Sequence, residues 1–284
     1  LTIDKSYDYL KNRLGFDYLI DYGEDSSGRG YTDKGLAALA LGQLNFGVTV
    51  RDIAAAYTAF ANEGVYNESH SYLYVYDSAG NLLLSNDSES TAYIMTKMMQ
   101  NVMNNGTGRS VTLRNSVDVA GKTGTAGNDY DRWFVGYTPY YIGAVWYGYS
   151  YPKSLSSLKA NPSNKLFDLV MTKLHEDVIN EAKNGGEALR TFNDHRPAEV
   201  VEVTYCKDSG KLMTDACRLD PRGDRSDTGY FTVSTAPHDY CDRHVVVDYD
   251  TTTNAYAHEY TRPENRKKVA LIRETTRAFP VQIY

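Results

Sequence analysis

The chain has 284 residues, a formal net charge of -6, 42% hydrophobic residues and 23% charged residues. That balance describes a globular chain of one large domain or two unequal ones, and excludes a disordered or fibrous one. The acidic excess also argues against a binder that tracks nucleic-acid phosphates with a basic face.

In chain order, Tyr7, Leu10 and Leu14 predict a short amphipathic helix, followed by a Gly-, Ser- and Asp-rich loop over Asp21–Gly35. After the run Gly35–Gly42, Thr49 is a good N-cap and Asp52 can complete a capping box. Ile53, Ala54, Tyr57, Phe60 and Ala61 share one face of that helix, and Gly64 stops it. A hairpin is expected over Tyr72–Leu84, turning at Ser78–Asn81. A second helix starts near Ser90, with Ile94, Met98 and Val102 every four residues, and stops before Gly106. Strands are expected at Val117–Thr125, Arg132–Gly136 and Tyr141–Tyr147, then a helix from about Asn164 to Lys183. This order predicts an α+β domain with helices on an antiparallel sheet. Arg196–Pro197 marks a boundary, giving domains 1–196 and 197–284, the second a small β-rich appendage. The longest uncharged stretch runs from Trp133 up to Lys153. Its glycines and prolines predict two strands and a turn, not a spanning helix of ~20 apolar residues. The 25 tyrosines suit half-buried strands and peptide- or carbohydrate-facing grooves, or stand in for Phe in the cores.

The chemistry concentrates in Lys122-Thr123-Gly124-Thr125. This string resembles a signature of penicillin-binding proteins and class A β-lactamases, and the resemblance implies a substrate peptide ending in a carboxylate, which needs a cation and hydroxyls at one end of its groove. Lys122 can supply positive potential and a donor, while Thr123 and Thr125 can donate to the carboxylate. Gly124 lets a substrate backbone approach the strand. The Thr125 N–H can form half of an oxyanion hole.

A Lys-Thr-Gly strand of this kind resembles one of three signatures of penicillin-binding proteins and class A β-lactamases, the others being Ser-x-x-Lys and Ser-x-Asn. Three further segments strengthen the likeness to class A penicillin-binding proteins: Leu39–Tyr66, Asn105-Gly106-Thr107-Gly108 and Asp131–Pro139. The four cover roughly residues 1–150. The resemblance implies a penicillin-binding, serine-β-lactamase-like fold with a five-stranded antiparallel sheet flanked by helices. It implies a D,D-transpeptidase acting on D-Ala-D-Ala stem peptides of peptidoglycan through an acyl-serine, and acylated by β-lactams. Lys122 and Thr125 would be catalytic, and Lys122, Thr123, Gly124 and Thr125 would bind substrate. No cofactor is implied. Partners would be stem peptides, β-lactams and, by analogy, the cell-wall synthesis machinery. Alternatives are a D,D-carboxypeptidase or β-lactamase of the same fold, or a non-catalytic peptidoglycan-sensing module.

The only Ser-x-x-Lys strings, Ser150–Lys153 and Ser156–Lys159, follow Lys122 and read as surface loops, and no Ser-x-Asn occurs. The chain begins at Leu1 and ends inside a strand-like run, Phe279–Tyr284. A truncated, inactive piece is therefore expected, with the nucleophile, a glycosyltransferase domain and a membrane anchor upstream, placing the parent on the outer face of the cytoplasmic membrane.

Cys206, Cys217, Cys241 and His244 form a possible structural zinc set, but only Cys241–His244 has tight ligand spacing. A disulfide with one free thiol is favoured over zinc, and unpaired thiols remain open. His175 is expected to be packed or half-exposed in the closing helix, and His70 and His195 solvated. Arg132 is expected as a strand-end salt-bridge partner, and Arg266-Lys267-Lys268 as a solvated turn.

Overall fold

The computed structural model describes residues 2–67 and 89–273. Contacts divide the chain into two units, Leu1–Pro197 and Ala198–Tyr284. The hairpin expected at Tyr72–Leu84, His70 and the run Phe279–Tyr284 lie outside the described residues.

The first unit opens with α1 (Ile3–Asp8), capped by the Thr2 hydroxyl, which accepts from the Lys5 N–H at 3.3 Å. The chain continues as a π-helical turn to Arg13, so the expected single helix is in two parts. Leu10 and Leu14 pack on a cluster of Tyr7, Phe16, Leu19 and Ala56. The loop after it carries a two-stranded ribbon, β1 (Gly23–Glu24) and β2 (Gly30–Tyr31). Buried Asp33 ties this loop down by accepting from the N–H groups of Ile20 and Asn45, both at 2.8 Å. α2 (Leu36–Leu41) ends at Gly42, whose φ of 72° suits a residue without a Cβ.

α3 (Val50–Ala61) starts as expected, with Thr49 accepting from the Asp52 N–H at 3.1 Å. Asp52 itself turns to Arg51 at 3.5 Å. Its deepest residues are Ala55, Ala56 and Ala59, while Ala61 is exposed. The larger residues of the expected face reach sideways: Ile53 packs on the Tyr7 cluster, and Tyr57 and Phe60 on Met99, Ala120 and Tyr137. In α4 (Glu89–Asn105) the inward stripe is Met95, Met99 and Met103, one residue beyond Ile94, Met98 and Val102; Met98 is 60% exposed.

β3 (Ala120–Thr125), β4 (Asp131–Tyr137) and β5 (Ile142–Gly148) form an antiparallel sheet in the order β3-β4-β5. It has three strands among the described residues, against the five expected. α5 (Pro162–Lys183) begins at Asn161, whose side chain accepts from the Ser163 N–H at 3.0 Å. Strand alternation sends Phe134 to the α5 face, where its ring meets Phe167 at 4.6 Å between centroids. The adjacent residues Ala120 and Tyr137 face α3 and α4, and the Tyr137 hydroxyl lies 2.6 Å from that of Thr96. His175 is fully buried, donating from Nδ1 to the Met171 carbonyl at 2.6 Å and accepting at Nε2 from Thr138 at 2.8 Å. It is a packing histidine, as expected.

The second unit contains a pair, β6 (Val200–Cys206) and β7 (Ser226–Thr232), and a three-stranded sheet ordered β10-β8-β9. These last are β8 (His244–Asp250), β9 (Ala255–Tyr256) and β10 (Arg266–Ile272). The run Arg266-Lys267-Lys268 is exposed but opens β10 instead of forming a turn, because it pairs in register with Asp250, Tyr249 and Asp248. Among the described residues no helix is long and apolar enough to cross a membrane.

Phe134 is fully buried between sheet and α5. Phe134→Ala should cost about 3–5 kcal/mol of unfolding free energy. Both tryptophans, Trp133 and Trp146, sit on this sheet, so urea unfolding followed by their fluorescence reports this unit. A loss under about 1 kcal/mol would remove Phe134 from the centre of the core.

Candidate active site on the free edge of β3

Lys122, Thr123, Gly124 and Thr125 are the last four residues of β3, the outer strand of the sheet as described. They pair with Val135, Phe134, Trp133 and Arg132 of β4. The Ala126 N–H donates to the Asp131 carbonyl at 3.2 Å. Antiparallel alternation from that bond turns the N–H and C=O groups of Thr125 and Thr123 away from β4, toward the free edge. The edge thus offers two N–H donors one pleat apart.

The side chains are set by different neighbours. Lys122 is exposed and folds its ammonium back onto the Thr123 carbonyl at 2.7 Å. The Thr123 hydroxyl lies 2.6 Å from that of Thr107, whose own carbonyl accepts from buried Asn164 at 3.1 Å. The Thr125 hydroxyl accepts from Arg132 Nη1 at 3.2 Å. A hydroxyl carries one hydrogen and two lone pairs. Thr125 therefore keeps its proton for another acceptor, and Thr123 does likewise when Thr107 donates.

Arg132 also pairs with Asp129 at 2.7 Å, which is the expected salt bridge. Its hold on Thr125, and the hold of Thr107 on Thr123, were missed by residue-by-residue reading. The signal for Thr107 was its place in Asn105–Gly108, ahead of the strand. The paired strand gives a reason of its own for glycine at position 124: an added Cβ would lie 3.0 Å from the Trp133 Cβ. Ser150 and Ser156 lie in the loop between β5 and α5, outside any helix that would set a serine and lysine one turn apart. A polar pocket of about 510 Å³ against α1, lined by Tyr7, Lys11 and Lys34 among others, includes no residue of β3.

Residues 1–162 match the family described as penicillin binding protein transpeptidase domain, and residues 196–246 the penicillin-binding protein 1A, C-terminal domain. The chain belongs to the penicillin-binding protein transpeptidase family. The two matched domains, in this order, correspond to the C-terminal part of a class A penicillin-binding protein. Penicillin-binding protein 1A of Clostridium perfringens is 29% identical over 278 residues, covering 91% of this chain and 32% of that protein. Penicillin-binding protein 1F of Bacillus subtilis is 31% identical over 249 residues, covering 79% of this chain and 34% of that protein. The chain therefore spans about a third of the length of these relatives. The crystal structure of penicillin-binding protein 1A from Haemophilus influenzae matches with a TM-score of 0.50 at 18% identity. It covers 84% of this chain and 38% of that one, and supports the α+β penicillin-binding fold.

In the unit after the transpeptidase domain, the cysteines correct an expectation. The favoured disulfide is not formed: Cys206, Cys217 and Cys241 are all free and buried. They converge with His244, all four ligand atoms lying within 4.8 Å of one another. Spacing along the chain hid this, because Cys206 ends β6, Cys217 lies in a 3-10 turn and only Cys241 and His244 are close in sequence. Burial raises the Cys217 thiol. Burial opposes ionisation of Cys241 too, but hydrogen bonds from the Ser209 side chain and the His244 and Arg243 backbone outweigh it and hold that thiol at about 6. His195 ends a 3-10 turn, Phe192–His195, instead of lying in a loop, and is mostly exposed, 2.8 Å from Glu63.

Two substitutions separate the edge from the scaffold. Lys122→Ala should change unfolding free energy by less than about 0.5 kcal/mol, since the side chain is exposed. Gly124→Ala should cost about 1–3 kcal/mol by pressing on Trp133. Equal effects in urea titrations would contradict this division.

Proposed function

We propose that the intact protein is a peptidoglycan D,D-transpeptidase and that the free edge of β3 holds its donor peptide. The observation carrying this reading is the outward row of Thr123 and Thr125 N–H groups beside an exposed Lys122. A D-Ala-D-Ala stem peptide would lie along β3 as an added strand. Its terminal carboxylate would take hydrogen bonds from Thr123 and Thr125 and the positive potential of Lys122. The penultimate carbonyl would then sit by the Thr125 N–H, one donor of an oxyanion hole.

The serine nucleophile is proposed to come from a Ser-x-x-Lys segment outside these 284 residues. Its oxygen attacks the penultimate carbonyl, its proton passes to the leaving amine, and D-alanine departs. An amine of a neighbouring stem peptide attacks the resulting ester, forming the cross-link and returning the proton to the serine. β-Lactams would acylate the same serine. Residues 1–196 would be the transpeptidase domain and 197–284 the appendage, with the parent anchored at the outer face of the cytoplasmic membrane beside other cell-wall enzymes.

Fluorescent penicillin tests the assignment. The 284-residue chain should stay unlabelled, and the longer protein containing the Ser-x-x-Lys segment should be labelled covalently. In the longer protein, Lys122→Ala should slow acylation by about 10²–10³, the usual cost of one transition-state donor. Labelling of the short chain at Ser150 or Ser156 would overturn the proposed location of the nucleophile. An unchanged acylation rate in the lysine variant would remove Lys122 from the site.

A further inference from the structure

Among the described residues, the second unit has a core cluster of unusual composition: Cys206, Cys217 and Cys241, with Met213 against them. Cys206 and Cys217 are fully buried, and Cys241 and His244 are 8% and 6% exposed. A unit this small buries too little apolar surface to hold itself together easily, and nature commonly adds a disulfide or a metal. The disulfide is not made here.

The distances fit a metal. Tetrahedral zinc, with Zn–S of about 2.3 Å and Zn–N of about 2.0–2.1 Å, places sulfur and nitrogen ligands about 3.6 Å apart. His244 Nδ1 lies 3.5 Å from Cys206 Sγ and 3.4 Å from Cys241 Sγ. Cys217 Sγ completes the set, held by the Thr214 N–H at 3.4 Å.

The surroundings prepare the imidazole for that role. His244 Nε2 lies 3.1 Å from Asp220 Oδ2 and 3.3 Å from Asp208 Oδ2. Carboxylates accept, so Nε2 carries the proton and Nδ1 turns its lone pair to the sulfurs. A carboxylate behind a ligating histidine is the usual outer layer of a zinc site. The acids are themselves fixed: Arg222 reaches Asp220 at 2.8 Å and Asp208 at 2.9 Å, and Arg225 reaches Asp208 at 3.0 Å. These guanidiniums already neutralise the carboxylates, so a cation belongs on the sulfur side of the ring.

The fold builds the site from three places. The Cys206 N–H donates to the Lys211 carbonyl, and the Cys241 N–H to the Leu212 carbonyl, both at 2.8 Å. These bonds bring the end of β6 and the segment leading into β8 to either side of one short stretch. Cys217 enters from the 3-10 turn Asp215–Arg218.

We infer that Cys206, Cys217, Cys241 and His244 bind one structural Zn²⁺ through three thiolates and the His244 Nδ1. Four protein ligands close the coordination sphere, which marks the site as structural and not catalytic. Thiolate-rich tetrahedral sites favour zinc over hard cations such as Mg²⁺ or Ca²⁺. Loading releases the protons of the thiols to solvent, and no oxidant or reductant is consumed.

The test uses the whole chain purified with its thiols reduced, given one equivalent of Zn²⁺ and desalted. Elemental analysis should find about one zinc per chain, and the pair Cys206→Ser with Cys241→Ser should lower this about tenfold or more. Asp220→Asn keeps all four ligands and should weaken zinc affinity by about 10–100-fold. Because substituted chains can misfold, the unsubstituted chain is also titrated with Co²⁺. It should develop the intense visible bands of tetrahedral cobalt with sulfur-to-metal charge transfer, and lose them when zinc is added. Failure to retain zinc, a weak octahedral cobalt spectrum, or a disulfide that forms in preference to zinc loading would each overturn the inference.

Discussion

One row of outward-facing backbone groups governs the transpeptidase unit. β3 gives one edge to β4 and, among the described residues, has no strand on the other. A bare strand edge invites pairing with any extended chain, and proteins usually guard it, often with lysine. Here Lys122 lays its ammonium on the outward carbonyl of Thr123. The same cation that guards the edge is suited to receive a carboxylate. The guard and the proposed binding group are one side chain.

The rest of the unit fixes where that edge lies. Phe134 and Phe167 lock one face of the sheet to α5, and Tyr137, Met99 and Ala120 lock the other to α3 and α4. The two threonines are then aligned from outside the strand. Asn164, at the start of α5, holds the Thr107 carbonyl, and Thr107 meets Thr123. Arg132, across the pair, holds Thr125. The placement of α5 thus bears on the Thr123 hydroxyl, and that of β4 on the Thr125 hydroxyl. The second unit solves a different problem, that of a small β-structure with a cluster of thiols among its buried residues.

Much of this was legible in the chain. The Lys122–Thr125 strand and its pairing with Asp131–Pro139 could be read because both segments resemble their counterparts in class A penicillin-binding proteins; their burial does not alternate, so period alone would not have marked them. The helix start at Thr49 was legible because capping is local chemistry. What failed depended on distant partners. The Ile94, Met98 and Val102 stripe has the right period but sits one residue off the buried one, since the neighbours of α4 and not its own sequence choose the inward face. The cysteine set was undervalued because its members are scattered, and β-pairing around Leu212 is what gathers them. Arg266-Lys267-Lys268 was read as a turn from its charge, yet a strand edge tolerates exposed cations when its backbone is paired.

The most direct measurement is a crystal structure of the longer protein acylated by a β-lactam. The account requires the drug carboxylate to lie within hydrogen-bond reach, about 2.7–3.2 Å, of the Thr123 and Thr125 hydroxyls. It also requires the acyl carbonyl oxygen to accept from the Thr125 N–H. A carboxylate held elsewhere, with the free edge of β3 still open to solvent, would contradict it.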